Sequence, residues 1–135
     1  MARVTMVDGL IKVESKYDFG TTLEKAIAAI RKRNITVFSV IDHRKNATDA
    51  GLELGNETLI IFGNAQAGTK LMQDKPSIGI DLPLKLLVSE EDGKTVLRYY
   101  NPLHLGKVHQ LDKNLDVINN ISGMLGSIVD EAARK

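Results

Sequence analysis

Leu82-Pro83-Leu84-Lys85-Leu86-Leu87-Val88-Ser89-Glu90-Glu91-Asp92-Gly93-Lys94-Thr95-Val96-Leu97-Arg98-Tyr99-Tyr100 is the stretch on which the fold turns. Leu82, Leu84, Leu86 and Val88 recur at period two and share one face of a strand. Ser89 to Gly93 is a short acidic turn, and Thr95 to Tyr100 returns as the hairpin partner. Nothing between the two runs has room for a crossover helix, so they pair antiparallel. Pro83 removes a ladder donor and predicts an edge or a bulge at that point. Asp81 and Lys85, four apart on an extended chain, would share a face about 13 Å apart.

Toward the N-terminus, Thr58 to Phe62 is apolar on both faces and reads as a central strand. Ile35 to Ile41 is β-branched and aromatic, a further strand that ends at Asp42-His43. Short helices are predicted over Arg44 to Ala50, stopped by Gly51, and over Asn64 to Met72, with Asn64 as N-cap. Ile11, Val13, Ser15 and Tyr17 alternate with charged residues, as an antiparallel or edge strand with one wet face does. Thr21-Thr22-Leu23-Glu24 fits a capping box for a helix over Thr22–Arg33, with Asn34 as its left-handed terminator. Toward the C-terminus, Asp112 or Asn114 caps a last helix over Leu115–Ala133, whose apolar stripe runs through Ile118, Ile121, Leu125 and Ile128. The order is β-α-β4-α. It predicts an α+β fold: a five-stranded, mainly antiparallel sheet with two main helices on one face, plus short inserted helices. Ile27, Ile30, Ile60, Leu86, Ile121, Leu125 and Ile128 are the expected core.

At 135 residues the chain is sized for a single domain spanning 1–135, with enough surface to bury a core without staples. Lys and Arg number 18 against 17 Asp and Glu, and a formal charge of +1 supplies no field for gathering a phosphate backbone. With 4% aromatics and no Trp there is little from which to build a base-stacking platform, so no nucleic-acid partner is expected. The absence of cysteine excludes disulfides, thiol catalysis and Cys-ligated metal. No signal segment or apolar run of membrane-spanning length is present, which predicts a cytoplasmic protein with no membrane partner.

Four stretches carry a resemblance: Asp42-His43 with Ala47; Phe62-Gly63-Asn64 with Gly68-Thr69; Gly79-Ile80-Asp81-Leu82-Pro83-Leu84-Lys85; and Tyr100-Asn101-Pro102. In this order and spacing the chain resembles the bacterial and archaeal family filed as domain of unknown function 302, from about Ile11 to the C-terminus. One departure is Ala65, where that family usually has proline, and a first helical position accepts either. The resemblance implies a β-α-β4-α fold similar to one copy of the TATA-box-binding-protein-like fold. It implies no DNA binding and assigns no activity.

Gly63 to Lys70 follows an apolar strand and opens a helix, as a phosphate loop does. Thr69 and Lys70 are swapped relative to a P-loop, which turns the lysine about 100° away from where it would meet the phosphates. A weaker reading keeps free amides at Asn64 to Ala67, plus Thr69, for a carboxylate or phosphate. His43, at a strand end beside Asp42, is the candidate general base. His104 and His109 lack the spacing of a metal site and are read as solvent-facing loop residues, so no metal or other cofactor is expected.

No hydrolase motif is apparent, and the balance leans against an enzyme. The expected function is a homodimeric binding module for a small, partly apolar or anionic ligand, rimmed by His43, Asn64, Thr69 and Lys85. The alternatives are an enzyme using His43 as base with the Asn64–Thr69 turn as anion hole, and a purely structural or interaction role. Gly123 and Gly126, on the wet side of the last helix, motivate the dimer.

Overall fold

A computed structural model describes residues 3–135; Met1 and Ala2 lie outside the described residues. Six strands form one sheet: β1 (Val4–Val7), β2 (Leu10–Ser15), β3 (Thr36–Asp42), β4 (Glu57–Gly63), β5 (Leu84–Glu91) and β6 (Lys94–Tyr100). Their order is β1-β2-β6-β5-β4-β3, with every neighbouring pair antiparallel. The helices are α1 (Phe19–Arg31), α2 (His43–Asp49), α3 (Ala65–Asp74), α4 (Pro102–Val108) and α5 (Leu115–Ala133), with a 3-10 helix at Pro76–Asp81.

The expected five strands become six because Val4–Val7 pairs with Leu10 onward across an Asp8-Gly9 turn. Both turn residues have positive φ, 51° and 82°, as do Asp92 and Gly93 at the β5–β6 hairpin, 53° and 77°. Asp-Gly suits such a turn, whose twist matches that of the flanking strands. All four β1 residues are exposed, so no burial pattern marked the strand in advance.

Pro83 also differs from its expected place. It lies just outside β5, which is paired on both sides and is no edge. Asp81 is the last residue of the 3-10 helix, so it and Lys85 do not lie on one extended strand.

α1 starts earlier than the capping-box reading places it. Asp18 is the N-cap, accepting from the Thr21 backbone N–H at 2.8 Å. Thr22 is fully buried, and its Oγ1 shares a 2.7 Å hydrogen bond with Ser15 Oγ, tying α1 to the end of β2. Asn34 takes the left-handed conformation expected of it, with φ 58°. Arg33, just beyond α1, donates to both Glu131 carboxylate oxygens, at 2.8 and 3.2 Å, and so ties α1 to α5.

The core lies between these helices and the sheet face carrying Val13, Leu97, Val88, Leu86 and Ile60. Ile30, Ile121, Leu125 and Ile128 are buried there as expected, and Ile27 is half-buried at its margin. Removing the side chain of Ile121 or Leu125 leaves a cavity that the two-layer packing cannot close. Ile121→Ala or Leu125→Ala should cost about 2–5 kcal/mol in denaturant unfolding, and a loss below about 0.5 kcal/mol would overturn the packing described.

Two carboxylates set an acid limit. The Arg98 guanidinium and the Ser89 hydroxyl hold Glu91 at about 2 against an ordinary 4.5. Arg33 and Lys32 likewise hold Glu131 at about 2. A folded-state value below the unfolded one contributes stability that is present above about pH 4.5 and lost as the pH falls toward 2. The urea midpoint should therefore drop between about pH 5 and pH 2.5. The double variant Glu91→Gln/Glu131→Gln should be less stable at neutral pH and lose less on acidification.

Candidate functional site

Antiparallel pairing sorts the side chains named in the sequence between two rims of the sheet. β3 and β4 are direct neighbours, with Asp42 opposite Thr58 and Thr36 opposite Gly63. His43 therefore sits at the start of β4, and Asn64 and Thr69 follow its end. Six residues of strand, about 20 Å, lie between them. The expected convergence of His43 with Asn64 and Thr69 does not occur, and the enzyme reading that joined them loses its geometry. Asp42 instead caps α2 by accepting from the Lys45 N–H at 2.9 Å. Lys85 is separated in another way. It is exposed and alternates with buried Leu84 and Leu86, so it projects from the opposite sheet face.

Asn64 and Thr69 do share a site. They line a cleft of about 740 Å³ between α3, the chain entering β5, and α5. Its apolar walls come from Phe38, Met72, Leu82, Val117 and Met124. Phe38 lies where the β3–β4 register shifts, and it is 54% exposed. Leu82 belongs to the motif-like Gly79–Lys85 stretch. The methionines and Val117 carried no signal beyond helical periodicity.

The cleft is not an anion hole of backbone amides. Asn64 Oδ1 already accepts from Gln66 N at 2.9 Å and Ala67 N at 3.2 Å, and Gly68 N donates to Asn64 O. Arg33, also on the wall, is committed to Glu131 and to the Ala29 carbonyl. Lys70 is the remaining cation at the rim, exposed, and among the described residues no ion pair engages it.

A second cluster forms at the same rim. His109, the C-cap of α4, has a side chain only 9% exposed, unlike the solvent-facing residue expected. Its Nε2 lies 2.6 Å from Asp81 Oδ2 and its Nδ1 lies 2.8 Å from Ser77 Oγ. Asp81 and Ser77 belong to the 3-10 helix, and 28 and 32 residues of chain separate them from His109. No sequence spacing marked this grouping. His104 lies elsewhere, over the β1–β2 turn, where a Cβ on Gly9 would come within 2.2 Å of its ring. No group of His, Asp and Glu suited to a metal ion occurs among the described residues.

Comparison with known proteins places the chain. Residues 11–131 match the family described as domain of unknown function DUF302. The chain belongs to the DUF302 family. The DUF302 fold recurs in the crystal structure of an uncharacterized conserved protein from Bacillus stearothermophilus, with a TM-score of 0.81 at 19% identity, covering 92% of this chain and 98% of that one. Two proteins named fluoride-specific ion channel FluC 1, from Brucella suis and Brucella abortus, are each 43% identical over 110 residues, or 81% of this chain. This chain spans only 43% and 41% of their lengths. No helix among its described residues is long and apolar enough to cross a membrane.

Several residues of the stretches that carried the resemblance are structural caps. Besides Asp42 and Asn64, Asn101 caps α4 through the Leu103 N–H, and its own N–H donates to the Gly9 carbonyl at 2.8 Å. Asn64→Ala should lose the α3 cap at about 0.5–2 kcal/mol in urea unfolding, and Asn64→Asp should recover most of it. Equal stability of the alanine variant would show that the cap contributes nothing.

Proposed function

We propose that this DUF302 chain is a small-ligand binding module, and that the cleft beside α3 takes a ligand with an apolar body and a small anionic head. The supporting observation is the pairing of a mainly apolar cleft of about 740 Å³ with one uncommitted cation, Lys70, at its rim. That volume lies within the range of about 300–1,000 Å³ usual for small-molecule sites. Met72 and Met124 give two walls flexible, polarisable surfaces that adapt to the occupant. Thr69 and Asn64 remain rim residues in this reading, while His43 and Lys85 have no part in it.

The working form is a cytoplasmic homodimer. Its proposed contact is the outer side of α5, where a Cβ on Gly123 or Gly126 would meet nothing within 4 Å and a second backbone has room to approach. The fluoride-channel name of the Brucella relatives is read as belonging to the portions of them that this chain does not cover.

The probe is octanoate, followed by calorimetry. Saturable binding should weaken about tenfold in Lys70→Glu, equivalent to about 1.4 kcal/mol. It should vanish in Ala67→Trp, which fills the cleft, and persist in His43→Ala. No binding at millimolar octanoate, or wild-type binding by folded Ala67→Trp, overturns the reading. Sedimentation should show a dimer at micromolar protein that Gly123→Leu weakens, and a strict monomer removes the dimer from the proposal.

A further inference from the structure

Ser77, His109 and Asp81 form a continuous hydrogen-bonded chain that the binding cleft does not use. The chemistry of the three groups fixes the direction of its protons. A carboxylate only accepts, so an imidazole with a single N–H facing Asp81 carries it on Nε2 and donates it across 2.6 Å. Nδ1 is then a lone-pair acceptor. The 2.8 Å contact with Ser77 Oγ is accordingly an O–H···N bond, with serine as donor. This is the polarity that a general base needs toward a hydroxyl nucleophile, with the carboxylate holding the tautomer.

Ser77 is open to solvent, the His109 side chain is 9% exposed, and that of Asp81 is 35% exposed. The elements around the cluster are tied together by two neighbouring contacts. Lys113 N donates to Asp74 Oδ2 at 2.7 Å, and Lys75 pairs with Asp112 at 2.9 Å. The segment before the 3-10 helix is thereby fixed to the loop after α4, which holds serine and imidazole in register.

We infer that Ser77 is an activated nucleophile, with His109 as its general base and Asp81 as the residue orienting the imidazole, and that it takes acyl groups from small activated carboxylic esters. In that step Oγ bonds to the acyl carbon while its proton passes to His109 Nδ1. The imidazolium then protonates the departing alkoxide as the ester C–O bond breaks. Water, deprotonated by the same nitrogen, attacks the acyl-serine and releases the acid, and the proton returns to Oγ.

The test is labelling by diisopropyl fluorophosphate. There Oγ bonds to phosphorus, fluoride leaves, and the hydroxyl proton is lost through His109. The wild-type chain should gain one diisopropylphosphoryl group, mapped to Ser77 by peptide mass spectrometry, and Ser77→Ala should gain none. His109→Gln and Asp81→Asn, checked for folding by circular dichroism, should label more slowly by about 10²–10⁴-fold. Labelling at other residues only, or folded His109→Gln and Asp81→Asn variants reacting at the wild-type rate, overturns the assignment and leaves a structural latch between the 3-10 helix and α4. If a variant unfolds, the wild-type chain is compared with a synthetic peptide spanning residues 70–85. Equal rates overturn the inference, and a folded chain at least about 10²-fold faster sustains it. Octanoate binding is a separate readout, so failure here does not bear on the cleft.

Discussion

Every neighbouring pair of strands in this sheet runs antiparallel, and the placement of all chemistry-bearing residues depends on that constraint. In an antiparallel sheet the end of one strand lies beside the start of the next. The rim that receives the end of β4 therefore also receives the starts of β3 and β5 and the end of β6. That rim collects Asn64 and α3, Leu82 and Pro83, Asn101, and the Ser77–His109–Asp81 cluster. His43 and Arg44 are sent to the opposite rim, where Arg44 binds Asn56 and Asn56 in turn binds Glu90.

The rim that gathers these features is held together by side chains that bond to backbone. Asn64 and Asn101 cap the helices that leave it, and Asn114 Nδ2 reaches back to the Lys70 carbonyl. Such bonds satisfy amides that would otherwise be orphaned at helix ends. They also consume the donors that an anion would need, which is why an inviting strand-to-helix turn produces an apolar cleft instead of a phosphate cradle. Lys70 is the cation at the rim of that cleft that no ion pair engages among the described residues.

The same economy commits two arginines to the fold. Arg33 and Arg98 each face a carboxylate in two-point contact, Glu131 and Glu91 respectively, and both are spent on the fold. Their carboxylates are held at about 2, so these pairs persist well below neutral pH. Neither arginine is available for recognition. Likeness to the Bacillus stearothermophilus structure at 19% identity establishes the shared architecture and leaves the chemistry to each chain's own side chains.

Sequence alone determined the α+β class, the antiparallel hairpin turning within Ser89 to Gly93, the apolar β4, and the buried stripe of α5, because period and turn chemistry are local properties. It also held the signal for the sixth strand in Asp8-Gly9, but an exposed four-residue edge strand leaves no burial pattern to reinforce it. It named Asn64 as a cap, because capping depends on the two or three residues that follow. Tertiary structure alone decided which strand ends meet. Register between β3 and β4 parted His43 from Thr69, and the pleat turned Lys85 to the other face. It also brought His109 onto Asp81 and Ser77 across some thirty residues of chain. Such juxtaposition depends on how α4 returns over the rim, and no spacing along the chain encodes it.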